Sequence, residues 1–295
     1  MRRFAVVLAA LAIAALAIAP AAGAAKKDKR VVALTPFSAN VLVELGVKPV
    51  AIGEALGGEQ HLSKKLKNVP RLPLSHASNG PNLEQLAAKD PEIMFSERTW
   101  RAGHSAVEDL GIDVVEADPY RVPYIRRAVE DIGAEIGEKK KAKKIGGRIA
   151  DDVTKASKGI KERPRVLMIL GVGQTPYAFL PNSWGGDLVT RAGGDLITEG
   201  LEADGSDLLV SGGYAQLSNE EILDRNPDVI IAVPHGRSED MEAIAQSLEE
   251  NEYFEETNAG ANDRVYVTTD NSLLQASTGL AKTIKRVRSE YLLND

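Results

Sequence analysis

Residues 82–96 read Asn-Leu-Glu-Gln-Leu-Ala-Ala-Lys-Asp-Pro-Glu-Ile-Met-Phe-Ser, and residues 218–232 read Ser-Asn-Glu-Glu-Ile-Leu-Asp-Arg-Asn-Pro-Asp-Val-Ile-Ile-Ala. The two stretches align so that Glu84 falls on Glu220 and the proline of one copy falls on the proline of the other. Each copy has the pattern of a short helix that stops at proline and leads into an apolar strand. A unit that occurs twice predicts two related lobes, and two lobes predict a cleft between them.

Helix and strand patterns alternate around both copies, which predicts an α/β fold with parallel sheets covered by helices. We expect two Rossmann-like lobes, the first at residues 28–122 and the second at residues 163–295. The segment 123–162 has no strand pattern, and we expect it to form one long helix, kinked at a pair of glycines, that joins the lobes. Residues 53–80 are rich in Gly, Pro, Ser and Asn, and we expect them to be irregular.

The start of the chain has the pattern of an export signal. Two arginines precede an apolar run, which ends in proline and the small residues Ala22, Gly23 and Ala24. This order is typical of a secretory signal peptide, so we expect residues 1–24 to be cleaved off. An uncleaved membrane anchor is the weaker alternative, because the run is short for a span.

Composition limits the partners of the mature chain. The net charge is −6, and removal of residues 1–24 takes away two arginines and no acidic residue, which leaves −8. An acidic chain without a basic patch does not predict a nucleic-acid partner. The lysines at 139–144 are better explained as the solvent-exposed face of a helix. The chain has no cysteine, and therefore no lipid-attachment site, so we expect a soluble monomer that is retained in a periplasm.

The repeat also predicts which loops line the cleft. Ligands of open α/β sheets lie beyond the carboxyl ends of the strands. His235 follows the second apolar strand, and the repeat aligns it with Thr99, so we expect their loops to face each other. His76 lies in the loop that enters the first copy. A neutral imidazole is a good ligand for iron, although each histidine can equally be an ordinary loop residue.

Several of the few aromatic residues also fall at predicted cleft loops. Arg98 and Trp100 follow the strand of the first copy, and Tyr177 and Trp184 follow the first strand of the second lobe. Aromatic rings and arginine suit a flat anionic ligand, through stacking and charge-assisted hydrogen bonds. The alternative for Trp184 is a place in the hydrophobic core.

Glu84 and Glu220 occupy equivalent positions at the starts of the two predicted helices. An acid in the first turn of a helix is favoured by the helix dipole, and this role is sufficient to explain both residues. A second hypothesis uses the symmetry: two equivalent acids can bind two basic pockets on a two-fold symmetric partner.

Motifs of catalysis are absent from the sequence. The chain lacks the Gly-x-Ser-x-Gly, His-Glu-x-x-His and Gly-x-x-x-x-Gly-Lys patterns, and it has no cysteine nucleophile. We therefore expect a binding protein rather than an enzyme, with no catalytic cofactor.

These patterns together resemble a known family. The stretches 81–91, 110–112, 192–194 and 217–228 are similar, in order and spacing, to those of the substrate-binding proteins of ATP-driven importers for iron-siderophores, haem and vitamin B12. The resemblance covers nearly the whole mature chain. It implies two lobes joined by a long helix, and a dimeric permease in the inner membrane as the partner.

The resemblance also implies roles for residues. Glu84 and Glu220 stand where this family docks onto arginines of its permease. The segment 233–236, Val-Pro-His-Gly, is similar to the loop of haem-binding members whose histidine ligates iron, and His76 is the nearest candidate for a second ligand. We therefore expect an iron chelate as the transported ligand, haem before a siderophore. Cobalamin, or a bare zinc or manganese ion held by histidines such as His104, are the alternatives.

Overall fold

The computed structural model describes residues 29–54, 61–161, 163–203, 213–237 and 239–293. The predicted signal peptide at residues 1–24 lies outside these ranges. No helix within them is both long enough and apolar enough to cross a membrane.

The N-terminal lobe is a six-stranded sheet in the order β4-β3-β2-β1-β5-β6. All neighbouring strands are parallel except β3 and β4, which are antiparallel. The strands are β1 (Val31–Ala33), β2 (Ala51–Glu54), β3 (Arg71–Ser75), β4 (Gly80–Pro81), β5 (Ile93–Ser96) and β6 (Asp113–Glu116). The helices are α1 (Pro36–Leu45), α2 (Leu83–Ala87) and α3 (His104–Glu108).

Local signals explain why α1 begins and ends where it does. The Thr35 hydroxyl accepts a hydrogen bond from the Ser38 amide at 3.1 Å and so caps the first turn, which starts at Pro36. Gly46 ends the helix in the left-handed conformation, with φ of 99°.

The expectation that residues 53–80 are irregular is wrong for β3. In this strand Leu72 and Leu74 are buried and alternate with outward-facing residues.

The connection between the lobes differs from the single long helix predicted over 123–162. It consists of two helices, α4 (Ile125–Glu135) and α5 (Lys139–Ala156), and α5 runs through its glycine pair without a break. The chain turns at Gly137, which has a φ of 76° that favours glycine. Gly133 lets the helices approach closely, because a Cβ there would lie 2.1 Å from the Cβ of Ala142. The connector is therefore an antiparallel helical hairpin.

The C-terminal lobe contains a second six-stranded sheet, in the order β10-β8-β7-β11-β12, with β9 also paired to β7. It is mixed, because β8 is antiparallel to both of its neighbours. The strands are β7 (Arg165–Val172), β8 (Thr175–Phe179), β9 (Asp195–Leu196), β10 (Tyr214–Gln216), β11 (Val229–His235) and β12 (Val265–Val267). The helices are α6 (Trp184–Ala192), α7 (Asn219–Arg225), α8 (Met241–Glu249), α9 (Glu252–Glu255), α10 (Asn258–Ala261) and α11 (Leu280–Val287).

The internal repeat is confirmed in atomic detail. The guanidinium of Arg30 donates to the carbonyl of Asp90 at 2.8 Å, and that of Arg165 donates to the carbonyl of Asn226 at 2.8 Å. Both acceptors have positive φ, 49° and 39°. The backbone amides of the two arginines bond the acid that follows each repeat proline, at 3.1 and 2.9 Å. The two lobes are thus built on the same strand–helix junction.

One hydrophobic core runs through the whole molecule. It includes buried residues of α1, of both connector helices and of α11, and each lobe adds a smaller core on the other face of its sheet. The connector packs against both lobes, α4 on α1 and α5 on α11. Its lysines at 139–144 are exposed, as predicted, and the ammonium group of Lys141 donates to the Leu45 carbonyl at 2.9 Å.

Candidate functional site

Two cavities lie between the lobes. The larger one, which we call the histidine cavity, has a volume of about 460 Å³ and is lined by His76 of the N-terminal lobe and by C-terminal-lobe residues that include Gln174, His235, Arg237 and Ile244. The smaller one, which we call the carboxyl cavity, has a volume of about 100 Å³ and is lined from both lobes by residues that include Glu97, Asp118, Tyr120, Asn182, Trp184 and Tyr214.

The sheet of the C-terminal lobe positions His235. It is the last residue of β11 and lies in register with Val172 at the end of the neighbouring strand β7. Its side chain is half-buried, and its Nδ1 atom has no hydrogen-bond partner among the residues that the structure describes. Burial, and to a smaller extent the nearby His76, lowers the pKa of His235 below its ordinary value. The imidazole is therefore neutral near pH 7, the form that ligates metals.

His76 reaches the same cavity from the opposite lobe. It begins the turn after β3, where the Ser75 hydroxyl accepts a hydrogen bond from the Ala77 amide at 3.2 Å. Its ring packs on the buried Trp100, with 4.9 Å between ring centroids. The loop that carries Trp100 comes close because Gly103 has no side chain: a Cβ there would lie 2.1 Å from the Asn79 carbonyl oxygen. Trp100 thus positions His76 although it lines neither cavity.

The remaining walls of the histidine cavity are largely apolar. Helix α8 contributes Ala243 and Ile244, and the turn between β7 and β8 contributes Gly173, whose φ of 59° allows the chain to reverse. A Cβ at Gly236 would lie 2.9 Å from Cδ1 of Ile244, so this glycine keeps α8 against the end of β11. Apolar walls with two imidazoles suit a flat, apolar metal complex.

The carboxyl cavity has a different character. Glu97 follows β5, and Asp118 follows β6 and accepts a hydrogen bond from the Thr35 hydroxyl at 2.7 Å. Burial raises the pKa of Glu97 to about 7. Burial, and then the charge of Glu97, raises the pKa of Asp118 well above its ordinary value. Sequence reasoning missed both acids, although each follows the carboxyl end of a strand and the same rule that selected His235 applies to them.

The other predicted ligand residues do not line the histidine cavity. Arg98 and Trp184 line the carboxyl cavity, where the guanidinium of Arg98 lies over the Tyr120 ring at 4.6 Å. Trp184 is buried and donates from Nε1 to the Ser272 carbonyl at 3.1 Å. Tyr177 lies within β8 and is not among the lining residues of either cavity. Thr99 lines the carboxyl cavity, so His235 shares its cavity with His76 rather than with Thr99.

His104, the third histidine considered as a ligand of a bare metal ion, lies outside both cavities. Nε2 of His104 lies 2.8 Å from the Ser96 hydroxyl, and the side chain lines neither cavity. Across the described ranges, no group of three or more His, Cys, Asp or Glu side chains is arranged to hold a metal ion. A histidine trio is therefore not assembled by this fold.

Glu84 and Glu220 are both exposed, and neither side chain makes a hydrogen bond or ion pair with a described residue. The caps of their helices are made by other groups. Asn82 accepts from the Gln85 amide at 3.0 Å, and Ser218 forms a capping box with Glu221. The two glutamates are thus available at equivalent places on the two lobes.

Known proteins resemble the chain in sequence and in structure. The high-affinity heme uptake system protein IsdE of Staphylococcus aureus strain MRSA252 is 25% identical over 146 residues, which are 48% of this chain and 47% of that protein. The match therefore spans about half the length of this curated relative.

Solved structures extend the likeness of the fold to most of the chain. The structure of S. aureus IsdE complexed with heme superposes with a TM-score of 0.72 at 21% identity, over 90% of this chain and 99% of that one. The vitamin B12 binding protein BtuF of Vibrio cholerae gives a TM-score of 0.65 at 17% identity, over 88% and 95%.

The sequence model of one family matches most of the chain. It is described as periplasmic binding protein, and it matches residues 31–272. The similar proteins named above are uptake and binding proteins rather than enzymes. This match, together with the two-lobed fold, shows that the chain belongs to the periplasmic binding protein family.

Proposed function

We propose that this protein captures haem outside the cytoplasm and delivers it to the dimeric permease of an ATP-driven importer. The observation that carries the proposal is that His76 and His235, from opposite lobes, line one cavity with otherwise largely apolar walls. A haem between the lobes presents one axial position of its iron to each lobe. Residues 1–24 act as the export signal, and the mature protein works as a periplasmic monomer.

The chemistry of capture is binding alone. Neutral imidazole is a common axial ligand of haem iron, and the lowered pKa of His235 keeps that ring neutral. The unpartnered Nδ1 of His235 means that the protein does not fix the orientation of this ring by a hydrogen bond. Iron coordination through Nε2 is compatible with this arrangement. The similarity to a heme uptake protein supports the choice of haem over the other chelates.

The test is a titration of the purified protein with hemin, followed by visible absorption. We expect a shifted Soret band, which is lost in His235→Ala and changed in His76→Ala, because each substitution removes one axial ligand. His104→Ala is the matched control, since His104 is also partly buried but bonds to Ser96 outside the cavity. Its spectrum should equal that of the unchanged protein.

Other outcomes would replace haem by a different ligand. If hemin leaves the spectrum unchanged and a ferric siderophore or cobalamin quenches tryptophan fluorescence, the ligand is that chelate. Stoichiometric zinc or manganese binding that is lost in both His76→Ala and His235→Ala would identify a bare metal ion instead.

Delivery to the permease is proposed to use Glu84 and Glu220. Their support is exposure, equivalence in the repeat and the absence of a capping role. The double substitution Glu84→Ala and Glu220→Ala should abolish hemin uptake into cells while leaving hemin affinity unchanged. Glu92→Ala is not a suitable control, because it bonds to the Arg30 amide; the exposed Glu108→Ala is suitable. A loss of hemin affinity in the double variant would contradict this division of roles.

A further inference from the structure

The carboxyl cavity is not used by the proposed capture of haem, yet both lobes contribute to it. The N-terminal lobe supplies the side chains of Glu97 and Asp118, and the C-terminal lobe supplies the rings of Trp184 and Tyr214. Trp184 is held by its bond to the Ser272 carbonyl, and Tyr214 packs edge-on against Phe179 at 4.9 Å. The cavity is therefore a built feature of the cleft, with acids on one side and aromatic rings on the other.

Neither acid has a cation as its partner. Within the described ranges, no nitrogen of lysine, arginine or histidine lies within 4.0 Å of the Glu97 or Asp118 carboxyl. Arg98 also lines the cavity, but its guanidinium stacks on the Tyr120 ring. Among the described residues, the Asp118 carboxyl accepts a hydrogen bond only from the neutral Thr35 hydroxyl. Two acids that share a small cavity, with no described cation within 4.0 Å of either carboxyl, are complemented by a positively charged ligand group.

We propose that the carboxyl cavity is a second subsite of the cleft and that it binds an organic ammonium group. The carboxyls attract the positive charge, and the aromatic residues Trp184 and Tyr214 line the same cavity, as suits cation–π binding of an ammonium group. The volume of about 100 Å³ admits a small ammonium-bearing group rather than a whole chelate. A metal ion fits less well, because the described residues offer no cluster of three metal-binding side chains.

The proposal predicts how binding depends on pH. The carboxyls of Glu97 and Asp118 line one cavity with Tyr214, and the charge of Glu97 acts on both of these residues, with Glu116 as a further acid near Glu97. Because the pKa of Glu97 is raised to about 7, its carboxyl is partly protonated near pH 7 in the ligand-free protein. An ammonium ion favours the ionised form, so binding releases a proton and tightens as the pH rises from about 6 to about 8.

The first experiment compares two probes of equal shape by calorimetry. Choline carries a positive charge, and 3,3-dimethylbutan-1-ol is its neutral isostere. We expect choline to bind at least about tenfold more tightly than the alcohol, and the difference to disappear in Glu97→Gln and in Asp118→Asn. Glu108→Gln, an exposed acid of the same lobe, is the matched control. Thermal unfolding of each variant verifies that it is folded.

A second comparison identifies the source of the ammonium group. The ferric complex of desferrioxamine B carries a free ammonium group, and its N-acetyl derivative does not. Preference for the charged complex would show that the group belongs to a chelate, whereas a charge effect with choline alone would show a separate small cation. Equal binding of charged and neutral probes in both pairs overturns the proposal. Since His235→Ala leaves this subsite intact, failure here and failure of haem binding are distinguishable.

Discussion

The two lobes are alike at one end of their sheets and unlike at the other. Away from the cleft, Arg30 and Arg165 make the same bonds to the end of the repeat helix. At the cleft, the corresponding strands end in different functional side chains. An acid, Glu97, follows β5, and a histidine, His235, ends β11. The comparison teaches that the repeated unit supplies the frame of each lobe, while the residues just beyond its strands decide what the cleft binds.

The largest expected difference between the lobes is in the effect of removing one buried tryptophan from each. Trp100→Ala and Trp184→Ala should each lower the free energy of unfolding by about 3–5 kcal/mol, because both side chains are almost fully buried. Only Trp100→Ala should also weaken hemin binding, since Trp100 packs on His76. Urea unfolding and hemin titration measure the two effects. Equal loss of hemin affinity in both variants would contradict the positioning role of Trp100.

The connector can be tested at its closest approach. Gly133→Val should lower the free energy of unfolding by about 1–3 kcal/mol, because its Cβ would overlap that of Ala142. Gly147→Ala in the same hairpin is the control, since a Cβ there meets no atom within 4 Å. Thermal unfolding distinguishes them, and equal stability of the two variants would show that the helices separate easily.

The shared frame predicts equal effects in the two lobes. Arg30→Ala and Arg165→Ala should each lower the free energy of unfolding by about 1–2 kcal/mol, because each leaves carbonyls at a helix end without their donor. Urea unfolding of both variants is the measurement. Values that differ by more than about 1 kcal/mol would show that the two junctions are equivalent in geometry but not in energy.

The smallest effect is a difference in pH response. The pKa of His235 is lowered by folding, so its contribution to stability is present above its ordinary pKa of about 6.5 and is lost as the pH falls. Glu97 has a raised pKa, so its contribution is present at acidic pH and is lost as the pH rises through about 7. His235→Ala should therefore reduce the loss of stability in acid, and Glu97→Gln should reduce the loss as the pH rises from about 4.5 to about 7. Melting temperatures across this pH range test both slopes.

Patterns along the chain predicted the parts of the fold that local chemistry determines. The proline-bounded strands and the exposed lysines of α5 are both present. The connector was predicted as one helix because its turn depends on a single residue, Gly137, and on the contact of Gly133 with Ala142. Strand β3 was missed because Pro73 interrupts an otherwise alternating pattern.

Sequence patterns predicted less of the site than of the fold. The repeat indicated His235 and the loop of His76, but not that these two residues would share a cavity. That arrangement arises because β3 precedes the first repeated stretch, and the sheet order sets where its loop lies. The pairing of Glu97 with Asp118 depends on the neighbouring positions of β5 and β6, which only the folded sheet provides.

The continuous core has a consequence for how the molecule melts. Each lobe has a smaller core of its own, but buried side chains of both lobes meet in the largest core through α4 and α5. The lobes should then unfold together, in one cooperative transition. A ligand that binds in the cleft consequently raises the melting temperature of the whole chain, and a single thermal-shift measurement reports occupancy of either cavity.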